Sequence, residues 1–155
     1  LVQDPAVMAY RWSRDEWKPA GRLLEPVKGA AACRMSLSSP GIHAVFRDVS
    51  APAIPAAGTG VTVAADPRGQ VHGVTLPRWS VFPVTVVEQG AGIAPETISA
   101  TLDGTPLVVE PDLPRDRVLV ELPDDLPPGG HVLHLTVTDE AGNTGSGAIT
   151  LECVE

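Results

Sequence analysis

Apolar residues fall on alternate positions through most of this chain, and no stretch repeats them at the helical spacing of three or four. A strand turns successive side chains to opposite faces, so an alternating run has one face to bury and one to wet. Seven runs after residue 60 read this way: Val61–Ala65, Trp79–Glu88, Thr97–Leu102, Thr105–Glu110, Arg117–Leu122, His131–Thr138 and Ala148–Cys153. The turns between them are chemically explicit. Asp103-Gly104 suits a two-residue hairpin whose central residues both take φ > 0. Leu126-Pro127-Pro128-Gly129-Gly130 makes a corner. In Asp139-Glu140-Ala141-Gly142-Asn143 the Asp can bond its own backbone and Gly can take the left-handed position. The 16 prolines and 15 glycines are what many short strands joined by tight turns require. The pattern predicts an all-β fold: an antiparallel immunoglobulin-like sandwich with room for a helical turn or two at most.

The first fifty residues also alternate. Val7-Met8-Ala9-Tyr10-Arg11-Trp12 reads as a strand, followed by the turn-like Ser13-Arg14-Asp15-Glu16 and then Trp17. Ala31 to Leu37 places Ala31, Cys33, Met35 and Leu37 on one face, and Ile42-His43-Ala44-Val45-Phe46 follows the Pro40-Gly41 break. So short a segment is marginal as an independent core. The organisation expected is therefore a small β unit over residues 1–50, the trailing part of a preceding β-domain, a linker over 51–60 rich in Pro and Gly, and the sandwich over 61–155.

Charge narrows the partners. The formal net charge is −8, and the eleven Lys and Arg residues are scattered, so a phosphate backbone would be repelled. No apolar run approaches the roughly 18 residues of a membrane span. The chain starts at Leu1 without a visible signal peptide, which suggests that it is processed or excised from something longer. Cys33 and Cys153 match no metal or redox spacing. Both share a face with apolar neighbours, which favours two free buried thiols; a bridge becomes possible if the N-terminal strands wrap onto the sandwich in an oxidising compartment.

The run Gly130-His131-Val132-Leu133-His134-Leu135-Thr136-Val137-Thr138-Asp139-Glu140-Ala141-Gly142-Asn143 resembles the G-H-x-L-x-V-x-V-T-D-x-A-G-N ending of bacterial immunoglobulin-like modules. Val86 to Ile93 followed by Ile98–Gly104 resembles their upstream segment, with Glu88 where Asp is commoner and Ala91 where Ser is. Ser39-Pro40-Gly41-Ile42-His43-Ala44-Val45 to Asp48 and Pro52 is similar to the junction that precedes such modules in the tails of secreted lysostaphin-like metallopeptidases. The resemblance implies an extracellular, periplasmic or cell-surface location. It also implies an accessory role beside a neighbouring domain or a cell-wall component, without fixing which.

Catalytic chemistry is missing from the sequence. There is no nucleophile elbow, phosphate loop or His-Glu-x-x-His, and Asp124-Asp125 lies in a proline-rich corner with no apolar pocket to raise a pKa. His131 and His134 sit an odd number of strand positions apart, point to opposite faces and cannot share an ion. The chain therefore reads as a non-enzymatic structural or interaction module that needs no cofactor. Two binding surfaces are worth testing. Tyr10, Trp12 and Trp17 could stack on a glycan, although core packing is the plainer use of large aromatics. The second is a Ca²⁺ site: the second and sixth strands of the sandwich end at one pole, so Glu88, Asp139 and Asn143 should meet Asp48 of the arriving linker there, together offering the oxygen ligands of a hard cation.

Overall fold

The structure, a computed structural model, describes residues 7–26, 33–35, 40–55, 60–64, 70–71, 74–75 and 81–154, with side chains over 7–20, 40–55 and 81–153. In chain order the strands are β1 (Val7–Ser13), β2 (Glu16–Pro26), β3 (Cys33–Met35), β4 (His43–Arg47), β5 (Gly60–Ala64), β6 (Gln70–Val71), β7 (Val74–Thr75), β8 (Val81–Thr85), β9 (Ser99–Leu102), β10 (Thr105–Leu107), β11 (Val109–Asp112), β12 (Arg117–Glu121), β13 (Gly129–Thr138) and β14 (Thr144–Val154). Single 3₁₀ turns at Pro95–Thr97 and Leu113–Arg115 are the helical elements among the described residues.

Two sheets make the sandwich, ordered β10-β9-β13-β14-β5 and β11-β12-β8. Alternation supplies the core between them. Leu133, Leu135 and Val137 of β13, with Ile149 and Leu151 of β14, face Val84 of β8 and Val118 and Val120 of β12, all essentially inaccessible to water. At roughly 1.5–3 kcal/mol for each fully buried aliphatic side chain, this layer is the main stabilising term of the sandwich. The long β13–β14 hairpin, in register from Gly129↔Cys153 to Thr138↔Thr144, is its backbone frame.

The structure departs from simple alternation at two places. Thr105–Glu110, which reads as one strand, is two: β10 pairs with β9 in one sheet and β11 with β12 in the other. Leu107 and Val109 both lean on the core while Val108 between them is exposed, so the period-two pattern continues unbroken through the change of sheet. Secondly, β5 joins β14 in parallel, so the larger sheet is not antiparallel throughout. Asp103 and Gly104 take φ of 49° and 85°, as the hairpin requires.

A separate sheet, ordered β3-β2-β1-β4, precedes the sandwich. Its β1–β2 turn is made by Arg14 and Asp15, at φ 54° and 65°. Register places Met8, Tyr10, Trp12, Trp17, Ala44 and Phe46 on one face. Met8 and Tyr10 on that face pack with Ala91 and Ala141 from loops of the sandwich, so the small sheet completes its burial on its neighbour. The segment 51–55, which reads as a connector, is ordered against the sandwich: Ala53 bridges Val87, Pro52 is buried, and Ile54 enters the main core. Cys153 is a free buried thiol donating to the Leu126 carbonyl. Trp79 and the side chain of Cys33 lie outside the described residues.

His131 is buried on the inner face of β13, whereas His134 is exposed on the other. Its Nδ1 lies 2.6 Å from Asp103 Oδ2 and its Nε2 2.9 Å from the Pro127 carbonyl oxygen. Both partners are acceptors, so the ring satisfies both only as a doubly protonated donor. The ring ties the Asp103-Gly104 hairpin to the proline corner. Its pKa is accordingly raised, first by Asp103, then by the Pro127 carbonyl, with the charge of Glu152 adding to the effect. A folded pKa above the unfolded one means that the folded state holds the proton longer. Its contribution is complete below about 6.5, the unfolded value, and is lost as pH rises through the folded pKa. Thermal melts across that window should show the parent losing stability faster with rising pH than His131→Gln, and the variant less stable at the acid end. Superimposable pH profiles would contradict this role.

Candidate cation site at the junction of the two units

Three carboxylates meet where the small sheet joins the sandwich. Asp48 lies just beyond β4, Glu88 in the loop after β8, and Asp139 immediately after β13. An oxygen from each lies within 4.8 Å of the others. Strand periodicity explains the most buried of them. Inward positions on β13 run Leu133, Leu135, Val137, and the next is Asp139, which is 2% exposed. Its carboxylate is held by the turn it closes: Oδ1 accepts the Asn143 N–H at 2.8 Å and Oδ2 the Asn143 side-chain amide, also at 2.8 Å. Gly142, at φ 91°, lets the chain reverse.

Asp48 is 7% exposed and reaches across the junction. Its Oδ2 accepts the Ala91 N–H at 2.5 Å and the Tyr10 hydroxyl at 3.5 Å, while Oδ1 accepts the Ser50 N–H at 3.0 Å. One carboxylate thus ties the connector, the small sheet and the β8–β9 loop. Glycines permit the approach: a Cβ on Gly90 would overlap Asp48 Oδ2, and one on Gly145 would overlap the Pro52 carbonyl. Glu88, partly buried, accepts the Gly90 N–H through Oε1 at 2.5 Å.

The electrostatics are one-sided. Burial pushes the Glu88 carboxyl above its ordinary range; the Gly90 N–H opposes that, and Asp139 and Asp48 push it further up. Tyr10 is pushed up to about 12, by burial first and then by the charge of Asp48. Carboxylates brought this close in a partly dehydrated site repel unless a proton or a cation intervenes.

Of the residues that the sequence nominates for the ion, the structure gathers Asp48, Glu88 and Asp139. Asn143 is present in a different capacity: its amide nitrogen donates to Asp139 Oδ2 and, at 3.3 Å, to the Asp48 carbonyl oxygen. It orients a carboxylate and the connector through its donor end. Three carboxylates offer up to six oxygens, all of the hard type that Ca²⁺ takes, with carbonyls or water to complete six to eight ligands. The aromatics nominated for glycan binding divide. Tyr10 is 5% exposed with its hydroxyl engaged, so it is a core residue of the junction; Trp12 is 41% exposed and Trp17 half-buried. Phe46, 41% exposed and edge-on to Trp17 at 5.0 Å, belongs to the same face and is missed from sequence, because the register between β1 and β4 decides it.

The close approach at Gly90 has a measurable consequence. Gly90→Ala should force Asp48 off the Ala91 N–H and cost about 1–3 kcal/mol, the usual range for an overpacked site. Denaturant unfolding would read this, and a parent-like midpoint would show that the Asp48 contact does not hold the junction.

Comparison with known proteins adds little to this geometry. No known family profile matches the chain, and no curated protein does. Among solved structures, CopC from Methylosinus trichosporium OB3b is 17% identical, over 65% of this chain and 89% of that one, with a TM-score of 0.39. A likeness of that size carries no function across. Among the described residues no helix is long and apolar enough to cross a membrane.

Proposed function

We propose that this chain is a non-catalytic structural module of a larger secreted or cell-surface protein, which sets the orientation of a neighbouring β unit, and that a hard divalent cation such as Ca²⁺ stiffens its junction. The observation that carries the reading is the convergence of Asp48, Glu88 and Asp139 within 4.8 Å of one another at the point where the two units meet. A catalytic carboxylate pair needs an apolar pocket open to substrate. These carboxylates are instead engaged by backbone N–H groups of turns, which suits holding chain segments together. The ion would replace mutual repulsion with shared attraction and so fix the connector against both the β8–β9 loop and the β13–β14 turn.

Calorimetric titration of EDTA-treated protein with Ca²⁺, paired with thermal melts, tests the reading. Binding should release or absorb heat and raise the melting temperature; at a hundredfold excess over Kd the linkage is worth about 2.7 kcal/mol. Glu88→Gln keeps the Gly90 acceptor and removes one negative charge. It should make the metal-free protein more stable than the parent while weakening the response to Ca²⁺. Absence of both heat and a melting shift at millimolar Ca²⁺ would leave the junction an ordinary hydrogen-bonded turn cluster.

A further inference from the structure

Next to the carboxylate cluster lies a recess of about 360 Å³, lined by Trp17 and Phe46 of the small sheet, Arg47 at the end of β4, Ser50 of the connector and Gln89 of the β8–β9 loop, with Tyr10 and Asp48 at its base. Aromatic rings meet polar groups here. Aromatic residues are 4% of the chain, and four of them, Tyr10, Trp12, Trp17 and Phe46, form one continuous array of ring contacts on the sheet face that borders the recess, edge-to-face at Trp12–Trp17 and Trp17–Phe46 and tilted at Tyr10–Phe46. Burial of the small sheet accounts for Tyr10, which packs with Met8 onto Ala91 and Ala141. It does not account for Phe46 and Trp12, each left 41% exposed.

We propose that this recess binds a neutral saccharide, a pyranose ring stacking on the face of Phe46 beside the perpendicular Trp17 while its hydroxyls bond Arg47, Ser50 and Gln89. Three features select this ligand class. An apolar ring face beside polar side chains matches a sugar, which presents C–H groups on its faces and hydroxyls around its rim. Arg and Gln offer several donors in a plane, and Gln and Ser add acceptors, so a hydroxyl can be met in either sense. The volume lies at the small end of ligand sites, enough for one or two rings. Charge selects the neutral class: Asp48, Glu88 and Asp139 stand beside the recess on a chain of net charge −8, which disfavours uronates and other anionic sugars. The recess is walled by both units, so its shape depends on the junction staying closed.

Tryptophan fluorescence of the full chain, titrated once in EDTA and once in millimolar Ca²⁺ so that a closed junction is covered with and without a cation, tests this directly. The probes are cellotetraose, chitotetraose, mannotetraose and, as the charged counterpart, tetragalacturonate. At least one neutral tetrasaccharide should give a saturable change with Kd between micromolar and millimolar, as a shallow open site allows. Phe46→Ala should weaken it about tenfold. Gln89→Ala, in an exposed loop position that leaves the fold intact, should weaken it about threefold by removing one hydrogen bond. No change with any probe up to millimolar, tighter binding of tetragalacturonate than of every neutral sugar, or undiminished affinity in the Gln89→Ala protein would each overturn the proposal.

Discussion

The buried carboxylate of Asp48 is the constraint on which the junction depends. A carboxylate removed from water is costly unless donors replace its solvation. At Asp48 those donors come from different parts of the chain: Ser50 from the connector, Ala91 from the β8–β9 loop and Tyr10 from the small sheet. Satisfying one charge therefore fixes three segments relative to one another. The glycines follow from this. Gly90 has no Cβ because Asp48 occupies the space, and Gly145 has none because the Pro52 carbonyl does. The apolar contact of Met8 and Tyr10 with Ala91 and Ala141 supplies the burial that so small a sheet cannot obtain alone.

The same arrangement accumulates negative charge. The sandwich core reaches its pole with Val137, and strand geometry commits the next inward position to Asp139. The loop after β8 adds Glu88 and the connector adds Asp48. Each carboxylate is individually supplied with N–H groups, yet burial first, and then the charges of Asp139 and Asp48, raise the protonation tendency of the most accessible of them, Glu88. A fold that tolerates such repulsion at the meeting point of two units has a ready place for a cation, and an ion there acts where leverage over orientation is greatest. The recess proposed for a saccharide shares this geometry, since its aromatic wall and part of its polar rim come from opposite sides of the junction.

Much of the architecture is legible in residues, because a half-buried strand leaves a period-two trace. The β13–β14 hairpin, the opposed directions of His131 and His134 and the Asp103-Gly104 turn can all be read from it. What period two cannot record is which sheet a strand belongs to. The chain crosses between sheets at Val108 without interrupting the alternation, so β10 and β11 look like one strand. The segment 51–55 hides in a different way: proline suggests a free connector, yet Pro52 and Ile54 alternate with exposed Ala51, Ala53 and Pro55 along the sandwich edge. At the site, the meeting of Asp48, Glu88 and Asp139 follows from strand direction alone. The burial of Tyr10 agrees with core packing, the plainer use of a large aromatic; the donor contact of Asn143 to the connector and the place of Phe46 are not legible, because each is set by packing between segments distant in sequence.

The central claim is that the small sheet and the sandwich form one body because Asp48 holds them together. Backbone ¹⁵N relaxation measures this most directly, since it reports the tumbling time of each unit separately. Amides of β1, β2 and β4 should share a single rotational correlation time with those of β13 and β14 in the parent protein, and the two groups should separate in Asp48→Ala. Independent tumbling in the parent, or a single tumbling time retained in Asp48→Ala, would contradict the account.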